Sequence, residues 1–262
     1  MNCKNCGISL RTDYCFCPDC GAKVIRNRLS IKGLLYDFFE RYFNLDNTFF
    51  KTIGHMVVKP QEVCSGYIGG LRKKYLNPVS MLAIALTVSG FTIFLMKKIA
   101  WEDIDFSKIS YAQKSSDGLG TEKIMSASME YSSLLYFLYI PVIAIGSYLV
   151  FNKKNYNLAE HIVTSIYALT SFSIISFLYT GILLMVSPQT YINTALLYVF
   201  IMILFCLYVS YKNSLDNIKS LVWRIPSFLF LILIGYIGIS IFQLIILLVT
   251  GDISIQDFIP KK

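Results

Sequence analysis

Apolar positions along this chain gather into five long blocks separated by short polar stretches. The blocks run over about 78–96, 133–151, 161–186, 192–211 and 225–249. Each has the roughly 20 residues that a helix needs to cross a hydrocarbon layer. Tyr136, Tyr139 and Tyr148, and later Tyr208 and Tyr211, lie near block ends, where aromatic belts sit. The pattern predicts an all-α polytopic membrane protein with about five transmembrane helices. The bundle is expected over 77–251, with an extracytoplasmic loop over about 97–132.

Before the first block the pattern changes. Ile31, Leu34, Leu35, Phe38 and Tyr42 recur at helical spacing among charged residues. A second stripe holds Phe49, Phe50, Ile53, Met56 and Val57 and ends at Lys59-Pro60. A third places Val63, Tyr67, Leu71 and Tyr75 four apart. Residues 30–76 are therefore expected to form amphipathic juxtamembrane helices at the headgroup level.

Composition supports a membrane. The AVILMFWYC set makes up 55% of residues and charged residues 15%, against about 25% charged in a soluble domain. The net charge of +8 comes from bases placed in the first third and in two later loops. That placement argues against a nucleic-acid footprint and for topology signals and anionic lipid headgroups. Arg72, Lys73 and Lys74 precede the first block, Lys153 and Lys154 follow the second, and Lys212, Lys219 and Arg224 follow the fourth. The 187–190 connection carries no charge. The expected orientation is N-terminus cytoplasmic and C-terminus extracytoplasmic, with Lys97 and Lys98 counting slightly against it.

Five of the seven cysteines fall within the first twenty residues, and residues 1–30 hold no apolar run of the kind a secretory signal carries, so none is expected. Cys3-Lys4-Asn5-Cys6-Gly7 and Cys17-Pro18-Asp19-Cys20-Gly21 are two Cys-x-x-Cys-Gly knuckles. Two intervening residues let both thiols reach one ion, and the glycine permits a positive φ that aims N–H groups at sulfur. Residues 1–25 are therefore expected to form a zinc ribbon with Cys3, Cys6, Cys17 and Cys20 as ligands. Ile8–Leu10 and Tyr14–Phe16 would pair as a short hairpin, with Cys15 a spare thiol. Iron sites built on similar knuckles use longer separations, and a redox pair would need a βαβ setting that is absent. Metal binding would supply the folding energy of so small a unit.

The blocks hold almost no charge. The candidate functional polar residues are Arg72, Tyr75, Glu160 and His161, with Arg72, Lys73 and Lys74 as a lipid-headgroup set. Asn157 as a helix cap with an acid in the first turn accounts for Glu160-His161; a titrating pair at a cavity mouth is the alternative. His55 reads as an interface residue, and Cys64 and Cys206 as small buried side chains. No nucleophile constellation, phosphate loop or intramembrane metal motif appears.

Several of these residues carry a resemblance. Asp46-Asn47-Thr48, Lys59-Pro60, Gly66-Tyr67-Ile68, the stretch Gly70-Leu71-Arg72-Lys73-Lys74-Tyr75 and Asn77-Pro78 follow the knuckles. Asn155-Tyr156 and Glu160-His161 come later. The chain resembles DUF3667, a bacterial membrane family of unknown function found largely in Bacteroidetes. Gln61 and Leu71 depart from the family's habit of Gly and Lys there. The resemblance implies an inner-membrane location and marks Pro60, Gly66, Tyr67, Arg72, Tyr75, Pro78, Glu160 and His161 for testing.

The expected function is a non-enzymatic membrane adaptor whose cytoplasmic zinc ribbon recruits a protein partner. The alternative is a transporter or channel for a lipid-like or small solute. Membrane lipids are expected partners under either reading, and an oligomer is compatible with both.

Overall fold

The computed structural model describes residues 2–22, 24, 48–105, 125–214 and 218–251. The chain divides into two compact units, Met1–Phe43 and Asn44–Lys262. The amphipathic helix expected over 31–42 lies outside the described residues.

In the first unit the two knuckles repeat one backbone pattern. Cys3 N–H donates to Ile8 O and Gly7 N–H to Cys3 O; Cys17 N–H donates to Ala22 O and Gly21 N–H to Cys17 O. Gly7 and Gly21 hold φ of 80° and 69°, a region where a side chain would be strained. Among the described residues the expected 8–10 with 14–16 pairing is not formed. Each knuckle instead folds back on its own flank, and Asn2 bridges antiparallel to Ser9. Leu10, Tyr14, Ala22 and Val24 pack around Cys3 and Cys17 as a miniature core.

The second unit is helical. Helix α1 is Thr48–Val58 and α2 is Pro60–Ile68, with Pro60 opening α2. Proline at a first helical position costs no hydrogen bond there. The third apolar stripe does not continue as a helix to Tyr75. Gly70, at φ 96°, closes α2: its N–H meets Tyr67 O, and Leu71 N–H reaches Gly66 O. This is the double bond of a Schellman end, which needs a residue free to take positive φ. Residues 69–77 form a turn, and α3, Pro78–Leu95, begins with Asn77 as its cap. A π-helical turn, Met96–Ala100, extends α3.

Helix α4 is Ser132–Val150, α5 is Leu158–Val186, α6 is Pro188–Asn193, α7 is Ala195–Ser214 and α8 is Ile218–Thr250. The expected fourth block thus opens on a separate short helix, because Pro188 restarts the chain after Ser187. Among the described residues four helices are long and apolar enough to cross a membrane: Pro78–Ile99, Leu158–Val186, Ala195–Ser214 and Val222–Thr250. The expected second span corresponds to α4, whose stretch Leu135–Val150 is apolar but shorter. Their outward faces carry large apolar side chains such as Leu178, Met185 and Val249, each more than two-thirds exposed. Surfaces of that kind belong in hydrocarbon.

Helix α5 is the central post, packing along α3, α4 and α7, while α8 lies on α4. The α4–α8 contact is close because glycine is used on both sides. A Cβ at Gly235 would collide with the Val142 side chain, and one at Gly146 would stand 3.3 Å from Ile232 Cδ1. Small residues let transmembrane backbones approach in this way. At one end the chain turns through 151–157; this basic end also carries α1, α2 and the 69–77 turn. The opposite end is capped by Met96, Ile104, Leu184 and Ile192, with Trp101, Met125, Met129 and Tyr191 around them. There Asp105 N–H donates to Gln189 Oε1 at 2.9 Å, and Lys97 pairs with Glu130 at 3.5 Å.

Candidate functional site

The first candidate is the thiol cluster. The Sγ atoms of Cys3, Cys6, Cys17 and Cys20 all lie within 4.8 Å of one another. Cys3–Cys20 and Cys6–Cys17 are each 3.6 Å apart. A tetrahedral ion with bonds of about 2.3 Å to sulfur needs sulfur–sulfur edges of about 3.8 Å, so the four thiols fit a metal ion. Cys15 is exposed and stands outside the group. The backbone N–H groups of Cys6 and Asn5 hold the Cys3 thiol below its ordinary value. The Asn5 side chain and the Ala22 N–H bring Cys20 down to about 6. Cys6 moves to about 12: the Ile8 N–H favours its thiolate, but desolvation and hydrogen bonds with Cys20, Cys3 and Cys17 outweigh it. Four thiolates held this closely need a cation to be charged together.

The second candidate lies where α1, α2 and the 69–77 turn enter the basic end of the bundle. Met56, Val63 and Cys64 are fully buried in the main core, beside Tyr75 and Leu76. Burial pushes the Cys64 thiol up to about 12. These helices therefore belong to the bundle and do more than coat its rim. Tyr208, on α7, donates to Val57 O at 2.9 Å. Thr52 Oγ1 accepts from Leu76 N–H at 2.9 Å, and Tyr167 donates to Leu76 O at 2.6 Å. Non-helical backbone at such a place must find partners in the protein, and here side chains of α1 and α5 supply them.

Ser65 is the hub of this clasp. Its hydroxyl accepts from Lys154 Nζ at 3.0 Å and from Tyr156 OH at 3.3 Å, and donates to Asn213 Oδ1 at 3.1 Å. Asn213 Nδ2 then reaches Thr164 Oγ1 at 3.3 Å. One serine thus joins α2, the 151–157 turn, α5 and α7. Glu62 gathers the charges on the outer side: Lys59 at 3.4 Å, and Lys74 and His55 at 3.8 Å. Desolvation pushes its carboxyl upward, yet the Lys59 hydrogen bond and the charges of Lys59, Lys74 and His55 hold it below its ordinary value.

The residues singled out from sequence divide between two places. Tyr75 is buried, and its hydroxyl meets His55 Nδ1 at 3.0 Å. Arg72, Lys73 and Lys74 stand exposed together on the 69–77 turn, with Arg72 over the Tyr67 ring at 5.4 Å. Glu160 and Asn157 form a reciprocal capping box that starts α5, with bonds of 2.7 and 2.9 Å. His161 is 2% exposed. Its Nδ1 meets Ser147 Oγ at 3.0 Å, the Tyr148 and Tyr156 rings stand edge-on to it, and its Nε2 has no partner among the described residues. No direct contact joins Glu160 or His161 to Arg72 or Tyr75 among the described residues. Trp223 is exposed, while Arg224 donates to Val150 O at 3.0 Å. Thr52, Ser65, Thr164, Tyr167 and Asn213 went unread because single hydroxyls and amides near helix ends carry no pattern in sequence, and Lys154 was read as a topology signal alone.

The clasp coincides with the comparison to known proteins. Residues 46–90 match the family model of DUF3667, a protein family of unknown function. No curated protein and no solved structure matches the chain. The DUF3667 match begins just before α1 and ends inside α3, so it holds Thr52, Glu62, Ser65, Tyr75 and Leu76. It contains one side of the clasp, and α5, α7 and the 151–157 turn supply the other.

Proposed function

We propose that this chain is a non-enzymatic membrane adaptor of the DUF3667 type. Its four-cysteine unit is a zinc ribbon that recruits a cytoplasmic protein, and the helical bundle anchors it in a bacterial inner membrane. The observation that carries the reading is the thiol cluster. Four sulfurs within 4.8 Å of one another fill a tetrahedral shell and leave no open position for a substrate, which is the mark of a structural site. Zinc is favoured over iron by the short separation between the knuckles and the small core around them. When bound, zinc would hold the two knuckles together and supply their folding energy.

Orientation follows from the bases. Arg72, Lys73, Lys74, Lys153, Lys154 and Lys212 sit by the clasp end, and a basic end faces the cytoplasm. At the opposite end Lys97 is offset by Glu130. On this reading α4 is a fifth crossing and the C-terminus lies outside. Arg72, Lys73 and Lys74 are then presented to anionic headgroups.

The test is elemental analysis and in-cell crosslinking of the full-length protein, wild type beside Cys17→Ser/Cys20→Ser. Zinc lost in the variant, together with a crosslinked protein lost while membrane insertion is kept, supports the reading. Iron, no metal, or an unchanged crosslinking pattern overturns it.

A further inference from the structure

The half of the bundle away from the clasp contains a cavity of about 320 Å³, walled by α3, α4, α5 and α7. That volume is within the range of small-molecule sites. None of its lining residues is charged, yet hydroxyl side chains line it on every wall. The lining residues of α5, Ser173, Ser176, Phe177 and Thr180, recur at the spacing of one helix face. Opposite them stand Ser89 and Thr92 of α3, Tyr136 and Tyr139 of α4, and Tyr198 of α7.

Hydroxyls inside a transmembrane bundle usually bond back to their own helix. Two here do: Thr92 donates to Val88 O at 2.9 Å and Ser176 to Ser173 O at 3.1 Å. Ser176 also meets Tyr198 OH at 3.0 Å. The others are not used up. Ser89, Thr180 and Tyr191 make no side-chain hydrogen bond to another described residue. Unused hydroxyls in an apolar setting are costly, and a ligand that bonds them recovers that cost.

We infer that this cavity is a binding site for the neutral, hydrogen-bonding head of a membrane-soluble amphiphile. A carboxylate or an amine would enter with no counter-charge, which is expensive at membrane depth. A bare hydrocarbon would leave the hydroxyls unbonded. A polyol or ester head satisfies them, and Val88, Ile93, Val199 and Met202 pack against the stem. Entry from the membrane is natural between α3 and α4, two of the cavity walls that touch each other only slightly. The inference is independent of the adaptor reading, because it uses neither the thiol cluster nor the clasp.

The test uses the full chain in phosphatidylglycerol nanodiscs and radiolabelled 1-monooleoylglycerol as the probe. Wild type should bind it saturably, without competition by oleate or hexadecane. Ser89→Ala/Thr180→Val removes two unused hydroxyls at nearly constant shape and should weaken binding about tenfold. Ser173→Leu fills the cavity and should abolish binding with an unchanged unfolding midpoint. Absence of saturable binding, equal competition by oleate or hexadecane, or wild-type affinity in the Ser89→Ala/Thr180→Val protein would overturn the assignment. If Ser173→Leu fails to fold, the hydroxyl-deletion pair decides alone.

Discussion

Tyr167 donates its phenolic hydrogen to the carbonyl oxygen of Leu76, 2.6 Å away, across 91 positions of sequence. The same peptide segment is held from the other side by Thr52, which accepts from the Leu76 N–H. Both backbone groups of a residue in an irregular, buried turn are thus satisfied by side chains. Removing one partner leaves a buried polar group unpaired, at about 1–3 kcal/mol. Tyr167→Phe is expected to lower the unfolding midpoint of the purified protein, and Thr52→Val to do likewise. The two losses should not add, since both loosen the same turn. Differential scanning fluorimetry of the singles and the double checks this, and additive losses would show the turn is held elsewhere.

Ser65 offers a second double-mutant cycle. Its hydroxyl takes bonds from Lys154 and Tyr156 and gives one to Asn213. Ser65→Ala removes all three, so it should cost more than Tyr156→Phe, which removes one. In the Ser65→Ala background Tyr156→Phe should cost almost nothing. A full Tyr156→Phe effect in that background would mean the hub is not real.

The close α4–α8 approach makes a sharp steric prediction. At Gly235 an added methyl would run into Val142, whereas at Gly238 there is nothing within 4 Å. Gly235→Ala should therefore destabilise the bundle by about 1–3 kcal/mol through overpacking, and Gly238→Ala should leave it unchanged or slightly firmer. Equal midpoints for the two variants would contradict the packing.

Acid should loosen the outer side of the clasp. Glu62 has its folded value held below that of a free glutamate by Lys59, Lys74 and His55. A depressed carboxylate contributes stability above its unfolded value, near 4.3. That contribution is lost as pH falls from there through the lower folded value. Wild type should lose its advantage over Glu62→Gln in that window and keep it at neutral pH. Melting curves of both proteins between pH 3 and pH 7 would reveal this, and a pH-independent gap would count against it.

Metal removal should unfold the N-terminal unit alone. Chelation is expected to expose the first unit to protease while the bundle resists, because the miniature core around Cys3 and Cys17 is small. Cys15→Ser should retain metal, since its thiol stands outside the cluster. Loss of metal in Cys15→Ser would require a different ligand set.

Much of this architecture was legible in the chain. The Cys-x-x-Cys-Gly spacing marked the four thiols that cluster, because two residues and a glycine leave a knuckle few alternatives. The Asn157–Glu160 cap was equally local and formed as read. Block edges were less legible. Val63, Tyr67, Leu71 and Tyr75 keep a helical period, yet Gly69-Gly70 end the helix before Leu71, because a Schellman closure outweighs an apolar stripe. The clasp was illegible for another reason. Ser65, Thr164 and Asn213 meet only after three helices have packed, and nothing in their local sequence announces partners 49 and 148 positions away. The cavity hydroxyls share that fate: serine and threonine are routine in membrane helices, and only packing shows which face one void.

The order of synthesis adds a consequence for the clasp. Ser65 leaves the ribosome long before its partners: Lys154 follows 89 residues later and Asn213 148 residues later. At elongation speeds of about 5–20 residues per second, the last of these arrives roughly 7–30 seconds after Ser65. During that interval α1, α2 and α3 must sit in or beside the insertion machinery with polar groups unmet. The clasp is therefore completed only when α7 docks, and a chain truncated before α7 is expected to have an open, protease-sensitive N-terminal half.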